Sequence, residues 1–248
     1  MSVQNKRYVI LGGSGGIGSA LTRRLTDRDA RVMIAARSPD KLAEVTDQTG
    51  ASSYECDATD TAQVEALFDH AVEQFGGLDG AVNCVGSILL KPAHRTEQRE
   101  WEQTLALNLD TAFYTVRAST PHLQHDGGSI VLISTAAAQI GLANHDAIAA
   151  AKAGVIGLTR SAAASYAKWG IRVNCVAPGL VETPLADPIL QSEASRTLSE
   201  KMHPLGRLGR PEDVASAIEW FLDDEQGWVT GQVLGVDGGL GQLKIPGA

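Results

Sequence analysis

The sequence predicts an α/β fold in which a doubly wound, seven-stranded parallel sheet carries helices on both faces. Short runs rich in β-branched residues alternate with longer segments of helical period along the chain. The strands are joined by crossovers, as parallel neighbours require. A length of 248 residues, 44% of them hydrophobic, is sufficient for one full domain. No linker or repeat divides the chain, so residues 1–248 are predicted to form a single domain.

The predicted strands are short and largely apolar, as expected for a sheet that is covered on both faces. They are Arg7–Leu11, Arg31–Ala36, Ala51–Cys56, Leu78–Cys84, Ser129–Ser134, Ile171–Val176 and Gln232–Val236. The predicted helices are Gly16–Arg28, Pro39–Gln48 and the approximate ranges 60–75, 97–124, 144–169 and 211–223. The segment from Pro178 to about Pro204 is predicted to be irregular. It follows the sixth strand, so it would lie at the carboxyl edge of the sheet, where such folds bind ligands.

Charge and cysteine content narrow the classes of partner. The net charge of −8 argues against a protein that binds a nucleic acid backbone, because such binding depends on Lys and Arg. A small-molecule partner is therefore favoured. Cys56, Cys84 and Cys175 are widely separated in apolar runs, which predicts reduced core residues and a cytoplasmic location. We find no membrane-spanning run and no leader, so no membrane partner is expected.

A glycine-rich turn joins the first strand to the first helix. Gly12, Gly16 and Gly18 would let the backbone turn tightly, approach a pyrophosphate and pack the helix against the strand. The N-terminus of the helix would then face the phosphates. The motif predicts dinucleotide binding, as opposed to a merely tight turn. The residues predicted to contact the cofactor here are Gly12, Ser14, Gly15, Gly16, Ile17 and Gly18.

The end of the second strand predicts which dinucleotide is bound. An NAD enzyme usually places a carboxylate there for the ribose 2′-hydroxyl, but Ala36 is followed by Arg37 and Ser38. Arg37 can pair with a 2′-phosphate and Ser38 can donate a hydrogen bond to it. This arrangement favours NADP(H) over NAD(H). The alternative is that Arg37 is an ordinary solvated surface charge.

Several further motifs follow along the chain. They are Asp57-Ala58-Thr59, Asn83-Cys84-Val85-Gly86, Asn108, Lys152, Arg172-Val173-Asn174, Pro178-Gly179, Thr183, Thr230-Gly231-Gln232 and Val236-Asp237-Gly238-Gly239. With the glycine motif, they make essentially the whole chain resemble the short-chain dehydrogenases/reductases. The resemblance implies a single-domain Rossmann fold and a homotetramer or homodimer built from the two long helices and the C-terminal strand. It also implies cofactor contacts at Asp57, Ala58, Asn83, Gly86, Lys152, Pro178, Gly179, Val181 and Thr183.

The same resemblance implies catalytic positions, and one of them does not match. Asn108 and Lys152 match the asparagine and lysine of the family, and Thr135 stands where a serine orients the substrate carbonyl. Four residues before Lys152, where the family has its proton-transferring tyrosine, stands Ile148. An isoleucine cannot transfer a proton. The four tyrosines of the chain are elsewhere, at Tyr8, Tyr54, Tyr114 and Tyr166.

His145 is the candidate to replace the missing tyrosine. It lies three residues before Ile148 and seven before Lys152, so the three share one helical face. An imidazole is a competent acid or base near neutral pH. The alternative is that His145 is an ordinary first-turn residue beside Asn144, the predicted N-cap. The other histidines show no metal-ligand spacing and are predicted to be solvated: His70, His94, His122, His125 and His203.

These observations favour an NADP(H)-dependent oxidoreductase with a rearranged proton-transfer step. The substrate is predicted to be a small organic molecule, with a carbonyl or alcohol narrowly ahead of a C=C or C=N bond. Two alternatives stay open. One is a catalytically silent NADPH-binding protein with a regulatory or scaffold role. The other is a non-redox isomerase or dehydratase that uses the same pocket, and no metal site is expected in any of the three cases.

Overall fold

Seven strands form one parallel sheet in the order β3-β2-β1-β4-β5-β6-β7. The computed structural model describes residues 3–243, so the two ends of the predicted domain lie outside the described residues. The strands are β1 (Arg7–Leu11), β2 (Arg31–Ala36), β3 (Ser52–Glu55), β4 (Gly80–Asn83), β5 (Gly128–Ile133), β6 (Ile171–Pro178) and β7 (Val233–Val236). Every neighbouring pair is parallel, which confirms the predicted α/β fold class.

Helices cover both faces of this sheet. They are α1 (Gly16–Thr26), α2 (Pro39–Thr49), α3 (Thr61–Phe75), α4 (Gln98–Leu105), α5 (Thr111–Leu123), α6 (Asp146–Tyr166), α7 (Glu193–Met202) and α8 (Pro211–Leu222). Buried residues of α1, α2 and α8 form one core, and those of α3, α5 and α6 form the other. Side chains of β1 alternate between them, since Ile10 joins the first core and Leu11 joins the second. The sheet is therefore doubly wound.

A crevice opens where the strand order reverses, between β1 and β4. Parallel sheets bind ligands at such points, outside the carboxyl ends of the strands. Here the turn after β1 lies directly against the turn after β4. A Cβ atom at Gly12 would lie 2.9 Å from the backbone carbonyl carbon of Cys84, and Gly12 has a φ of +74°. A glycine is therefore required at this position for two independent reasons.

The helix predicted over 97–124 is interrupted. The residues from Ala106 to Asp110 form a π-helical turn between α4 and α5, and Asn108 is buried in the middle of it. Such turns often mark functional positions. The hydrophobic period continues through the interruption, so the sequence pattern does not reveal it. The helix predicted over 144–169 begins at Asp146 and is followed after Tyr166 by a short 3₁₀ turn, Ala167–Trp169.

The prediction of an irregular segment from Pro178 to about Pro204 is wrong in part, because α7 lies within it. The Ser192 side chain accepts a hydrogen bond from the Ser195 N–H at 3.1 Å and caps this helix. Glu193 places a negative charge in the first turn, where the helix dipole favours it. None of the residues of α7 is buried. Capping therefore specifies this helix more than core packing does, and the prolines nearby concealed it.

Candidate cofactor cleft and active site

The crevice at the carboxyl edge of the sheet is a cavity of about 760 Å³. Its wall is made from the glycine turn, the ends of β2, β3 and β4, and the segment that follows β6. Twelve of the predicted cofactor residues lie on this wall. They are Gly12, Ser14, Gly15, Gly16, Ile17, Gly18, Arg37, Ser38, Asp57, Ala58, Gly86 and Thr183.

The N-terminus of α1 is prepared for an anion. The N-cap residue, Gly15, supplies no side chain to bond the N–H groups of the first turn. The positive end of the helix dipole lies at the same place. A Cβ atom at Gly16 would come within 2.6 Å of the Thr183 methyl group, and one at Gly18 would collide with the Gly12 carbonyl oxygen. Side chains at these positions would fill the cradle, so the glycines fit a pyrophosphate.

Two cations stand at the end of β2 on the cleft wall. Arg37 was predicted there, and Lys41 joins it from the first turn of α2. Ser38 caps α2 by accepting a hydrogen bond from the Lys41 N–H at 3.4 Å. The sequence signal that could have identified Lys41 is its place in the first turn of the predicted helix after Arg37 and Ser38. The two positive charges at this corner of the cleft, formed by Arg37 and Lys41, suit a phosphate group.

Asp57, which follows β3 on the same cleft wall, is held as a carboxylate. Its Oδ1 atom accepts hydrogen bonds from the Thr59 N–H at 2.9 Å and from the Thr59 hydroxyl at 2.7 Å. These bonds, with the positive charge of Arg37, hold the pKa of Asp57 below its usual value. An ionised Asp57 accepts hydrogen bonds and donates none, which fits the amino group of an adenine.

Lys152 and Asn108 come together behind the cleft wall at Gly86. A Cβ atom at Gly86 would lie 3.0 Å from Asn108 Oδ1 and 3.6 Å from Lys152 Nζ. Lys152 is only 6% exposed, and its Nζ donates to the Ile133 carbonyl at 2.8 Å. Burial lowers the pKa of its ammonium from 10.5 to about 8. Lys152 can therefore gain or lose a proton near neutral pH.

Asn108 is fixed on both sides of its amide. Its Oδ1 atom accepts from the Ser87 N–H at 3.1 Å, and its Nδ2 atom donates to Ser87 Oγ at 2.8 Å and to the Thr104 carbonyl at 3.0 Å. Ser87 lies on the cleft wall and was missed by the sequence reasoning. The π turn presents Asn108 to this partner. The side chain thus links the wall after β4 to the helix behind it.

Ile148, predicted to stand at the tyrosine position, lies one turn before Lys152 on α6. Its hydrocarbon side chain is buried, with 6% exposed. None of the four tyrosines substitutes for it. Tyr8 is buried in β1, where burial raises the pKa of its phenol, and Tyr166 stacks on Trp169 at the other end of α6. Tyr54 packs against His70, and Tyr114 packs beside Phe113 on α5.

Thr135 and Ser134 stand at the end of β5 with different partners. The Thr135 hydroxyl donates to the Pro178 carbonyl at 3.4 Å and accepts from the Ala137 N–H at 3.3 Å. The Ser134 hydroxyl instead donates to the Lys152 carbonyl at 2.8 Å. Alternation along the strand therefore separates the two hydroxyls. The Pro178 bond is long, so the Thr135 hydroxyl can exchange it for a substrate oxygen at little cost.

His145 lies at the residue before α6, and the predicted capping arrangement is wrong. His145 itself holds the N-cap position, while Asn144 precedes it with a φ of +64°. The His145 Nδ1 atom lies 2.8 Å from the Ala143 carbonyl oxygen. A carbonyl can only accept, so Nδ1 carries the proton in this arrangement. Its Nε2 atom is then left as the ring position that can take up a proton.

Besides Lys152, four predicted cofactor residues lie behind or beside the wall. Asn83 is buried, donates to Thr115 Oγ1 at 3.0 Å and accepts from the Val85 N–H at 2.8 Å, so it shapes the turn after β4. Pro178 ends β6, Gly179 packs against His203, and Val181 pairs with Gly209.

The structure also corrects two predictions about single side chains. Cys84 is only partly buried and forms part of the cleft wall, whereas Cys56 and Cys175 are buried as predicted. Burial raises the pKa of the Cys84 thiol to about 12, so it is protonated at neutral pH. His203, predicted to be solvated, is buried with 3% exposed. The apolar wall residue Leu107 was not anticipated either, whereas Leu185 lies in the segment after β6 that was predicted to reach the ligand-binding edge.

No group of three or more potential metal ligands occurs among residues 3–243. Within that same range, no helix combines the length and the apolar character that a membrane span requires.

Comparison with known proteins assigns the family. The family model described as enoyl-(acyl carrier protein) reductase matches residues 12–241. A short-chain type dehydrogenase/reductase from Mycobacterium ulcerans superposes with a TM-score of 0.93 at 31% identity, covering 97% of this chain and 91% of that one. The chain belongs to the short-chain dehydrogenase/reductase family. Members of this family use nicotinamide cofactors, and the cleft described above is consistent with one.

Two curated members of the short-chain dehydrogenase/reductase family show the range of similar activities. The cis-4-hydroxycyclohexanecarboxylate dehydrogenase of Sinomonas cyclohexanicum is 39% identical over 237 residues, which are 93% of this chain and 94% of that protein. A 3-oxoacyl-(acyl-carrier-protein) reductase of Thermotoga maritima is 33% identical over 246 residues, covering 97% of this chain and 99% of that protein.

Proposed function

We propose that the protein is an NADP(H)-dependent oxidoreductase that transfers a hydride between the nicotinamide and a small alcohol or carbonyl compound. The supporting observation is that one cleft joins an uncapped helix N-terminus, the cations Arg37 and Lys41, and the Lys152 ammonium behind Gly86. The names of both curated relatives, a dehydrogenase and a ketone-reducing enzyme, favour alcohols and carbonyls over C=C or C=N bonds. When bound, the cofactor supplies the hydride chemistry.

Each part of the cofactor has a matching group on the chain. The first turn of α1 would hold the pyrophosphate, and Arg37, Ser38 and Lys41 would hold a 2′-phosphate. Lys152 would donate to the nicotinamide ribose. Asp57 and Ala58 would contact the adenine, and Thr183 the nicotinamide side. Asn83, Pro178, Gly179 and Val181 would support the wall from behind.

Arg37→Leu is expected to weaken NADPH binding by roughly 30- to 100-fold, because one charge-assisted bond to the phosphate is worth about 2 to 3 kcal/mol. The dissociation constant for NADH, which lacks that phosphate, should change by less than about threefold. Fluorescence titration of both cofactors measures this. Arg23→Leu, which removes an exposed arginine of α1, is the matched control. An equal loss for NADPH and NADH would contradict the assignment of NADP(H).

We propose that proton transfer passes through His145, with the Nε2 atom as the exchanging position, or through water. Neutral His145 carries its proton on Nδ1 and can accept one at Nε2. It therefore acts as a base during alcohol oxidation, and the imidazolium acts as an acid during carbonyl reduction. Thr135 would orient the substrate oxygen through its hydroxyl. Asn108 and Ser87 hold the wall beside Lys152.

His145→Ala is expected to lower turnover by about 10²- to 10⁴-fold over a panel of ketones, enones and imines, because positioned acid–base groups contribute in this range. NADPH consumption across a range of pH gives the rates. His94→Ala, which removes an exposed histidine, should leave them unchanged. Unaltered turnover of His145→Ala at every pH would assign the proton to water.

Ile148 supports a second candidate, a catalytically silent NADPH-binding protein. Its buried hydrocarbon side chain provides no group that can transfer a proton. Tight NADPH binding without turnover of any member of the panel would favour this function. Substrate conversion without net NADPH consumption would instead indicate the isomerase or dehydratase.

We also propose a homotetramer or homodimer. Large apolar side chains are exposed on or beside the elements expected to pair, including Phe113 on α5 and Trp228 before β7. Trp228 is fully exposed in the single chain, which is consistent with a partner that covers it. A particle of 26.1 kDa in light scattering would contradict the proposal. The cytoplasmic location stays a prediction from composition.

A further inference from the structure

His203 is a buried histidine whose ring nitrogens are both engaged. It follows the last residue of α7, and its Nδ1 atom lies 2.7 Å from the Ser199 carbonyl oxygen. Its Nε2 atom accepts a hydrogen bond from the Leu180 N–H at 3.1 Å. Since a carbonyl only accepts and an amide N–H only donates, these two bonds require the neutral ring with its proton on Nδ1.

The ring lies directly against the backbone of the segment after β6. A Cβ atom at Gly179 would come within 2.5 Å of His203 Nε2, so only glycine allows this approach. Gly238, at the turn after β7, also lies beside His203, since a Cβ atom there would be 3.4 Å from His203 Cβ and 3.8 Å from its ring carbon Cδ2. His203 therefore joins three parts of the chain: the segment after β6, α7 and the turn after β7.

The segment bonded to His203 leads into the cofactor cleft. The Leu180 carbonyl accepts from the Gly209 N–H at 2.9 Å, and the Glu182 N–H donates to the Gly209 carbonyl at 2.9 Å. Thr183 and Leu185 follow immediately and form part of the cleft wall. The Thr183 methyl group lies where a side chain at Gly16 would stand, over the first turn of α1.

We infer that His203 is a positioning residue, which sets Thr183 and Leu185 against the cofactor by fixing the backbone at Leu180. Leu180 is held on both sides, by His203 at its N–H and by Gly209 at its carbonyl. Without His203, Leu180 would keep only the hydrogen bond from the Gly209 N–H to its carbonyl. Leu180 lies three residues before Thr183, so the backbone leading to Thr183 would be held less firmly. The inference rests on the proposed cofactor binding, and His203 itself does not line the cleft.

Two conservative substitutions separate positioning from general stability. The side-chain amide of His203→Gln can reach the place of Nε2 and accept from Leu180. The amide of His203→Asn can donate to Ser199 but ends short of Leu180. Each variant loses one of the two hydrogen bonds, so their melting temperatures should fall by similar amounts.

Only His203→Asn is expected to loosen the cleft wall. Its dissociation constant for NADPH should rise about 5- to 20-fold, while that of His203→Gln stays within about threefold of the native value. In the absence of cofactor, amides 180–185 should exchange with deuterium about tenfold faster in His203→Asn and at the native rate in His203→Gln. Combining His203→Asn with Thr183→Val should give less than the sum of the separate effects on NADPH binding.

Equal changes in both variants, in binding and in exchange, would overturn the inference and leave His203 a stabilising core residue. The exchange experiment needs no cofactor. If the native protein failed to bind NADPH, the proposed function would fall, and the exchange rates would still decide whether His203 positions the segment.

Discussion

Ile148→Tyr is expected to reduce ketones with NADPH about 10²- to 10⁴-fold faster than the native protein, the range that a positioned general acid contributes. The new phenol would stand one turn before Lys152 on α6. The positive charge of Lys152 would lower the phenol pKa and ease proton release to the substrate oxygen. Asn108 and Lys152 meet beside Gly86, and Thr135 follows the end of β5.

Ile148→Phe is the matched control, because it introduces the same ring without the hydroxyl. Both variants force a larger side chain into a buried position, which should lower the free energy of unfolding by about 1 to 3 kcal/mol. Only the tyrosine variant should gain turnover, measured as NADPH consumption over a range of ketone concentrations. Equal and unchanged rates in both variants would show that the surrounding groups do not form a working proton path.

Lys152→Met is expected to raise the dissociation constant for NADPH by at least about 100-fold. An ammonium that donates to ribose hydroxyls makes charge-assisted bonds of about 1.5 to 3 kcal/mol each, and two such bonds account for this loss. Methionine has a similar length and fills the same space. Lys168→Met, which removes an exposed lysine just after α6, should bind NADPH as the native chain does.

The same substitution is expected to stabilise the fold at pH 7. The drop in the Lys152 pKa from 10.5 to about 8 corresponds to about 3 kcal/mol of destabilisation at about 1.4 kcal/mol per pKa unit. Loss of the bond to the Ile133 carbonyl offsets about 1 to 2 kcal/mol of this. A net gain of about 1 to 2 kcal/mol in the free energy of unfolding should therefore accompany the loss of cofactor binding.

The pH dependence of that gain has a definite sign. Between pH 8 and 10.5 the unfolded chain binds more protons at Lys152 than the folded chain, so the native protein becomes more stable as pH rises. The advantage of Lys152→Met should be largest below pH 8 and should vanish towards pH 10.5. Urea unfolding of both proteins at pH 7 and pH 10 measures it. If the gain in the free energy of unfolding from Lys152→Met were the same at pH 7 and pH 10, Lys152 would not be charged and buried as described.

The sequence could predict the sheet because its signals are local. Most strands are short apolar runs, β3 excepted, and segments of helical period separate them, so their parallel direction follows from the length of the crossovers. The glycine motif is also a local sequence signal, although the neighbours that exclude a Cβ atom at Gly12 and Gly16 are distant in the chain, at Cys84 and Thr183. Arg37 was predicted because the end of β2 has a fixed place in such sheets.

The sequence reading missed features that depend on distant neighbours or on short capping signals. His203 packs against Gly179, 24 residues earlier in the chain, where the missing side chain leaves room for its ring, and against Gly238 further along the chain. The α7 helix depends on its Ser192 cap, a signal of a single residue. Because the cap lies within a proline-containing segment, the sequence pattern there predicts irregular structure. Asn144 was predicted to cap α6 by residue type, but its left-handed backbone moves the cap to His145.

The π turn at Ala106–Asp110 gives this side of the site an unusual sensitivity to chain length. A π turn holds one residue more than an α-helix needs for the same span, and one residue corresponds to about 100° of rotation. Deleting a single residue there would allow α4 and α5 to join as one regular helix, while turning Asn108 away from Ser87. We therefore expect insertions and deletions in this turn, more than substitutions, to preserve the helical fold while disrupting the site.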